Sequence, residues 1–194
     1  MKLLEERIQK DGTCIGTEIV KVDSFLNHQL DTALIRALGE EFARLFKDEQ
    51  PNKVLTLEAS GIPIAFAAAQ ALGDLPLVFA KKAAPSTMTE DAYTADVMSF
   101  TKGTVSTIRV AHQYLGPKDR VLIIDDFLAH GEAGLGLLKL VEDAGAKCVG
   151  FGAAIEKEHQ GGHKRLEEKG IRVESLAVIT SIKDGVISFN SKDL

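Results

Sequence analysis

The stretch VLIIDDFLAHGEAGL, residues 121–135, decides the fold. The apolar, β-branched run in 120–125 suits a strand that is buried on both faces of a sheet. Asp125 and Asp126 end that run, a short loop with Gly131 follows, and 133–144 then carries apolar residues at helical spacing. A strand, a short loop and a helix in this order indicate an α/β domain.

The same alternation continues along the chain on both sides of this stretch. The predicted strands are 53–58, 76–81, 96–101, 104–111, 120–125, 147–156, 171–180 and 185–189, and the predicted helices are 1–10, 33–47, 62–72, 133–144 and 163–169. Lys102-Gly103 is a turn suited to a hairpin. The stretch 82–95 has no clean period and is predicted to be a long loop, which in a compact domain is often functional. The pattern predicts an α/β fold with a mostly parallel twisted sheet flanked by helices.

The composition limits the class of protein. With 194 residues, 45% hydrophobic and 26% charged, the chain is expected to form a single soluble domain over 1–194. A net charge of -5 argues against nucleic acid as a partner. Cys14 and Cys148 match no metal spacing, and no apolar run reaches about 18 residues, the length that would suit a membrane span. We therefore expect a cytoplasmic protein with free thiols and no membrane partner.

The residues after the 120–125 strand suit two adjoining sites. Ligands of parallel α/β sheets collect at the carboxyl ends of the strands, and a helix N-terminus there offers N–H groups to a phosphate. Gly131 would let the backbone approach that anion closely. Asp125 and Asp126 would repel a phosphate but suit sugar hydroxyls or Mg2+. A phosphate site beside a diol site describes a ribose 5-phosphate; the alternative is an ordinary strand end with two solvated aspartates.

Two aspartates followed by two apolar residues, a small residue and Gly131 resemble the signature with which type I phosphoribosyltransferases bind phosphoribosyl pyrophosphate (PRPP). Five further segments resemble, in order, the bacterial xanthine phosphoribosyltransferase family: KVDSFLNHQLD (21–31), LEASGI (57–62), VFAKK (78–82), SFTK (99–102) and IEK (155–157). This resemblance covers nearly the whole chain. It implies the type I phosphoribosyltransferase fold, with a core at about 50–160, a small hood from about 1–35 and 160–194, and a flexible lid made by the loop and hairpin of 82–111.

The resemblance implies a purine salvage enzyme that converts xanthine and PRPP to xanthosine 5'-phosphate and pyrophosphate. Its partners would be these small molecules, and it would form a homodimer. Mg2+ is the expected cofactor, carried by the pyrophosphate of PRPP. Apart from Asp125 or Asp126, no direct protein ligand to the metal is expected.

The resemblance also implies roles for individual residues. Asp125 and Asp126 would be catalytic, holding the ribose hydroxyls and stabilising positive charge on the sugar ring in the transition state. The remaining PRPP contacts would come from a phosphate loop, a second anion nest and a lysine: Ala129, His130, Gly131, Glu132, Ala133, Ala59, Ser60, Gly61 and Lys81, with Lys82 as the alternative lysine. The purine base would contact Val20, Asn27, Phe127 and Lys157.

Without the resemblance, several of these residues have ordinary structural explanations. Asn27 would be a turn or cap residue, Lys157 an exposed lysine, and Lys81 and Lys82 an exposed strand end. Phe127 would either wall the base or lie in the core. The chain also departs from the family pattern at His130, where Thr, Ser or Asn is usual, and at Glu132, where an uncharged residue is usual. An inward-pointing Glu132 would disfavour phosphate, whereas an outward-pointing one would suit the helix dipole.

Three other functions remain open at this point. The base would be guanine or hypoxanthine in a closely related enzyme. A regulatory protein with the same fold would sense PRPP and act on nucleic acid, and a non-catalytic α/β subunit would do neither. About 50 residues precede the first predicted core strand, which is little for an added DNA-binding domain, and the acidic net charge is wrong for an RNA-binding face. Both features favour the enzyme.

Overall fold

The computed structural model describes residues 1–82, 91–99, 103–183 and 185–190, and a mixed sheet lies at its centre. The strands are β1 (Thr13–Ile15), β2 (Ile19–Lys21), β3 (Lys53–Leu57), β4 (Leu77–Ala80), β5 (Ala92–Ser99), β6 (Thr104–Ala111), β7 (Arg120–Leu128), β8 (Lys147–Lys157), β9 (Val173–Lys183) and β10 (Val186–Phe189). The α-helices are α1 (Lys2–Asp11), α2 (Thr32–Phe46), α3 (Ile62–Ala71), α4 (Glu132–Asp143) and α5 (Gly162–Glu167). Asp23–Asn27 forms a π-helical turn, and short 3-10 helices occupy Lys47–Glu49, His112–Tyr114 and Glu158–Gln160.

The central sheet is parallel except at one edge. Within the described part of the chain its strand order is β10-β9-β8-β7-β3-β4, and only β10 runs antiparallel to its neighbour. Two antiparallel pairs lie outside it, β1 with β2 and β5 with β6. The parallel order places the carboxyl ends of β3, β7 and β8 next to one another, which is where ligands bind in such sheets.

Residues 121–124 of strand β7 are buried on both faces because all four are apolar and successive side chains point to opposite faces of the sheet. Leu122 and Ile124 pack with α2 and α3 on one face, and Val121 and Ile123 pack with α4 and the β5–β6 hairpin on the other. All four are at most 1% exposed, and each such buried side chain contributes about 1.5–3 kcal/mol. The two aspartates therefore directly follow a fully buried stretch of the sheet.

The predicted fold class is confirmed, and so are most of the predicted elements. The hairpin over 96–111 is confirmed, since β5 and β6 pair in register from Ala92 with Ala111 to Ser99 with Thr104. The long loop predicted for 82–95 is wrong at its end, because this pairing extends the strand back to Ala92. Residues 83–90 of that loop lie outside the described residues, as do 100–101 of the predicted strand 96–101 and Lys102 of the predicted turn.

No helix in the described ranges is both long and apolar enough to cross a membrane.

Cys14 and Cys148 are both free thiols. Burial raises the pKa of the Cys148 thiol to about 11, so this thiol is a poor nucleophile near neutral pH.

Candidate active site

A cavity of about 780 Å³ opens beside the carboxyl ends of β7 and β8. Its wall is built from the β7–α4 loop, the turn between β1 and β2, the end of β8, and side chains of the β5–β6 hairpin. The β7–α4 loop and the end of β8 are adjacent because the parallel strands end on the same side, and the β1–β2 turn and the β5–β6 hairpin complete the wall. The cavity has the size of a small-molecule site.

The β7–α4 loop forms one end of the cavity. All five of its predicted phosphate-binding residues line the wall: Ala129, His130, Gly131, Glu132 and Ala133. Gly131 precedes the first helical residue with φ 83°, a left-handed conformation that glycine adopts at no steric cost. The first N–H groups of α4 have no partners within the helix, so they and the helix dipole suit an anion at this end.

His130 and Glu132, the two residues that depart from the family pattern, are contacted by Gln160 and Arg165. Arg165 Nη1 lies 2.5 Å from Glu132 Oε1 and donates to the His130 carbonyl, also at 2.5 Å. The His130 ring Nδ1 lies 3.3 Å from the carbonyl oxygen of Gln160. The Glu132 carboxylate is thus paired with a guanidinium although its residue borders the cavity.

Asp125 and Asp126 stand side by side at the end of β7. Asp125 is 6% exposed, and its Oδ1 accepts the Asp126 backbone N–H at 3.0 Å. Burial raises the pKa of Asp125 well above its ordinary value, and the neighbouring charge of Asp126 adds to the rise. Burial also raises the pKa of Asp126, while a hydrogen bond from Asn27 at 3.4 Å opposes it. The pair therefore favours a ligand that brings hydroxyl donors or positive charge.

The turn between β3 and α3 packs directly against Asp125. A Cβ on Gly61 would lie 2.2 Å from Thr56 Oγ1 and 3.0 Å from Asp125 Oδ1, so only glycine fits there. The Glu58–Ala59 peptide bond in this turn is cis. Gly61 thus lies beside Asp125, and none of Ala59, Ser60 and Gly61 lines the described wall of the cavity.

The two lysines after β4 differ in their surroundings. Lys82 lines the cavity, and its backbone N–H donates to Glu58 Oε1 at 2.5 Å. Lys81, the lysine predicted to bind PRPP, exchanges two backbone hydrogen bonds with Arg109, and its Nζ lies 5.9 Å from the centroid of the Phe79 ring. Among described residues, Lys82 is the one of the two that faces the cavity.

The four predicted base contacts, Val20, Asn27, Phe127 and Lys157, line the part of the cavity bordered by β2, the π-helical turn and the ends of β7 and β8. Lys157 Nζ lies 5.7 Å from the centroid of the Phe127 ring and donates to the backbone carbonyl of Glu18 at 2.6 Å. Burial lowers the pKa of Lys157. This part of the cavity therefore offers an amide, an ammonium group and an aromatic face to a flat polar ring.

Other residues of the wall were not predicted from the sequence. Glu18 and Gln160 border the base end and are joined by a 2.8 Å hydrogen bond, whereas Val97 and Ile108 come from the hairpin. Glu18 lies in a turn without hydrophobic periodicity, so nothing local marks it. The hairpin residues alternate in the sequence, but which face meets the cavity follows only from the packing of β5 on α4.

Within the described ranges, no group of three or more His, Cys, Asp or Glu side chains could hold a metal ion. His163 pairs with Glu156 at 2.9 Å and Glu167 at 3.4 Å, and His159 lies 3.4 Å from Glu18. An oxygen-seeking cation that arrives with a ligand needs only one or two protein carboxylates, and the aspartate pair with its raised pKa values fits that need.

Comparisons with known proteins identify the family of the chain. The sequence model of the phosphoribosyl transferase domain family matches residues 21–184. The chain is 53% identical over 190 residues to a xanthine phosphoribosyltransferase of Lactobacillus delbrueckii subsp. bulgaricus, covering 98% of this chain and 100% of that protein. It is 49% identical over 193 residues to one of Streptococcus gordonii, covering 100% of both.

Solved structures share the fold at lower identity. Adenine phosphoribosyltransferase from Rhodothermus marinus superposes with a TM-score of 0.74 at 24% identity, covering 92% of this chain and 100% of that one. The Trypanosoma brucei adenine phosphoribosyltransferase, solved with AMP, pyrophosphate and ribose-5-phosphate, gives 0.75 at 16% identity, covering 90% and 78%. The family match over most of the chain, and relatives identical at about half of their positions, lead to one conclusion: this chain belongs to the phosphoribosyltransferase family.

Proposed function

We propose that this protein transfers the ribose phosphate of PRPP to xanthine, giving xanthosine 5'-phosphate and pyrophosphate in purine salvage. The observation that carries the proposal is the single cavity that joins the phosphate loop to Asn27 and Lys157. Relatives that share about half of its residues over their full length are named xanthine phosphoribosyltransferase. No comparable argument supports adenine, since the adenine enzymes resemble this chain at 24% identity or less.

PRPP would lie along the cavity with its 5-phosphate on the backbone N–H groups of 129–133. The ribose hydroxyls would then reach Asp125 and Asp126, which accept hydrogen bonds. The pyrophosphate would face the turn with Ala59, Ser60 and Gly61, and Lys82 is better placed than Lys81 to balance its charge. Mg2+ bound with the pyrophosphate would neutralise the leaving group, with Asp125 or Asp126 as protein ligands.

Xanthine would occupy the other end of the cavity, against Val20 and Phe127. The Asn27 amide can donate to the 2-oxo group and accept from a neighbouring ring N–H, and Lys157 can donate to a second oxygen. A base without the 2-oxo group would leave a buried partner unpaired, at a cost of about 1–3 kcal/mol. Such a cost corresponds to a preference of roughly 5- to 150-fold.

The reaction forms a bond from N9 of the base to C1 of the ribose as the bond from C1 to the pyrophosphate oxygen breaks. The ring N–H proton of the base leaves to solvent or to a basic group, and the electron pair of the broken bond stays on pyrophosphate. Positive charge on the ribose ring would be stabilised by the ionised aspartates. Burial raises both pKa values, so hydrogen bonds from the ribose hydroxyls and a nearby cation would have to favour the ionised form.

Water must be excluded, since PRPP would otherwise be hydrolysed. The β5–β6 hairpin covers one wall through Val97, Met98, Ser106 and Ile108. Residues 83–90 precede it and lie outside the described residues. We keep the predictions that 82–111 acts as a lid and that about 1–35 and 160–194 form the small hood.

The expected homodimer and cytoplasmic location belong to the same proposal. Phe66 on α3 is 55% exposed and Phe79 on β4 is 39% exposed, so both are available to bury in a subunit contact. Light scattering of the purified protein measures the first expectation. Free thiols at Cys14 and Cys148 suit a reducing compartment.

Pyrophosphate release with PRPP, Mg2+ and one purine base at a time tests the function. We expect turnover with xanthine and a kcat/KM lower by at least about fivefold with hypoxanthine. Turnover with hypoxanthine but not with xanthine would reject the base assignment and favour the hypoxanthine or guanine enzyme. PRPP binding without turnover on any base would favour a PRPP sensor.

A further inference from the structure

The phosphate loop is held from outside the cavity by the first residues of α5. The Gly162 N–H donates to the Ala129 carbonyl at 3.0 Å, and Arg165 Nη1 donates to the carbonyl of the next residue, His130. A Cβ on Gly162 would lie 2.4 Å from the Ala129 oxygen and 2.7 Å from the Gly131 nitrogen. The absence of a side chain at Gly162 therefore permits this close approach.

Arg165 makes a second contact with the same nitrogen. Nη1 lies 2.5 Å from Glu132 Oε1, so one guanidinium nitrogen joins a loop carbonyl to the carboxylate that opens α4. Glu132 also lines the cavity, at the helix end where the 5-phosphate would sit. An unpaired carboxylate there would repel a phosphate dianion, because two like charges a few ångströms apart near a protein surface interact by about 1–4 kcal/mol.

We propose that Arg165 is a positioning residue for PRPP: it neutralises Glu132 and fixes the His130 carbonyl, and so makes the 129–133 loop able to bind the 5-phosphate. Carbonyl and N–H point in opposite directions in a trans peptide, so the Arg165 contact fixes the direction of the Gly131 N–H. Arg165 needs no contact with substrate. The inference deepens the proposed function and rests on it.

The contact is specific to one part of the substrate. Arg165 has no place in the described wall of the cavity, whereas the base end is built by Asn27, Phe127 and Lys157. The Arg165 side chain is 43% exposed, so its replacement leaves no buried hole and should fold. Its loss should therefore change the use of PRPP and leave the use of xanthine nearly unchanged.

A double-mutant cycle between Arg165 and Glu132 tests the inference. Arg165→Ala should raise the KM for PRPP about tenfold, as expected for roughly 1.4 kcal/mol of uncompensated repulsion, with the KM for xanthine within about twofold. Arg165→Lys should recover most of the loss. In a Glu132→Gln background the same Arg165→Ala change should cost less than about threefold, because no charge remains to neutralise.

Lys164→Ala is the matched control. Lys164 is a neighbouring cation on α5 whose side chain is 81% exposed and pairs at 3.9 Å with Glu168, so its loss should leave both KM values unchanged. Equal rises in both KM values, or the same loss with and without Glu132, would overturn the role of Arg165. A wild-type protein that shows no turnover would instead reject the proposed function, so the two failures are distinguishable.

Discussion

The side-chain amide of Asn27 lies 3.4 Å from Oδ2 of Asp126, across 99 residues of chain. Asn27 ends the π-helical turn Asp23–Asn27, which is anchored by the fully buried Phe25 and Leu26. Asp126 lies at the far end of β7. The proposed base contact and the proposed ribose contact are thus hydrogen-bonded to each other, and this bond opposes the rise that burial causes in the pKa of Asp126.

Replacing Asn27 by Ala should impair the use of xanthine more than the use of PRPP. The amide supplies donor and acceptor groups to the base, and the loss of one buried partner costs about 1–3 kcal/mol. We expect the KM for xanthine to rise at least about fivefold, with a smaller change in the dissociation constant of PRPP measured by calorimetry. Gln29→Ala, an exposed neighbour, is the control. Equal losses for both substrates would remove Asn27 from the base site.

Replacing Asp125 by Asn should make the protein more stable and inactive. Burial raises the native pKa of Asp125, so the native state holds its proton at pH values where the unfolded state has lost it. The unfolding free energy of the wild type should therefore fall as pH rises from about 4 through the native pKa. Asn cannot ionise, so the unfolding free energy of the variant should not fall with pH in this way. Its side-chain oxygen can still accept the Asp126 N–H.

The readouts for this variant are a thermal melt at several pH values and a turnover assay. At pH 7.5 the Tm should rise by a few degrees, since about 1 kcal/mol shifts the Tm of a domain of this size by about 2–4 °C. The kcat should drop at least about 100-fold, as for other lost transition-state charges. A variant less stable than wild type at pH 7.5 would contradict the burial argument.

Replacing Gly61 by Ala should disturb the pyrophosphate turn. The new Cβ would lie 2.2 Å from Thr56 Oγ1, and Thr56 is fully buried. Overpacking of this kind costs about 1–3 kcal/mol, and the shifted turn should raise the KM for PRPP. Gly116→Ala is the matched control, since nothing lies within 4 Å of a Cβ there. If the two variants have the same melting temperature and the same KM for PRPP, the close packing of Gly61 against Thr56 and Asp125 is not needed for function.

The sequence predicted the parts of the site that are local in the chain. Asp125 and Asp126 could be placed because an uninterrupted apolar run, a carboxylate pair and a glycine turn all lie within 121–135. The fold followed from the same pattern repeated along the chain. Ala92–Ala95 were missed because their strand is stabilised by pairing with 108–111 and has no period of its own.

Contacts between segments that are far apart in the sequence could not be predicted from a local pattern. Lys81 and Lys82 are adjacent, and only the backbone pairing of Lys81 with Arg109 determines which of them faces the cavity. The pairing of Arg165 with Glu132 joins residues 33 positions apart. At the sequence level Glu132 could only be noted as unusual, because its partner is fixed by how α5 packs on the loop.

Replacing Lys157 by Met should weaken the base end without affecting the phosphate end. Its Nζ holds the Glu18 carbonyl at 2.6 Å and lies among the proposed base contacts, so both the β1–β2 turn and xanthine would lose a donor. The KM for xanthine should rise about 10- to 150-fold, from the loss of roughly 1.5–3 kcal/mol for a hydrogen bond to a charged group. Lys147→Met, at the opposite end of β8, is the control. An unchanged KM for xanthine would place the base elsewhere.

The pairing of His163 with Glu156 predicts a pH-dependent part of the stability outside the substrate cavity. The hydrogen bond to Glu156 raises the pKa of His163, against the opposing effect of burial, and Glu167 adds to the rise. A histidine whose pKa is higher in the native state than in the unfolded chain stabilises the native state fully at pH values below its unfolded-state pKa of about 6.5. That stabilisation is lost as pH rises through the native-state pKa. Urea unfolding should therefore show that His163→Gln is less stable than wild type at pH 6, with a smaller difference at pH 8.5. In a Glu156→Gln background this pH dependence should shrink, because the principal partner is gone; a difference that grows toward pH 8.5 would contradict the pairing.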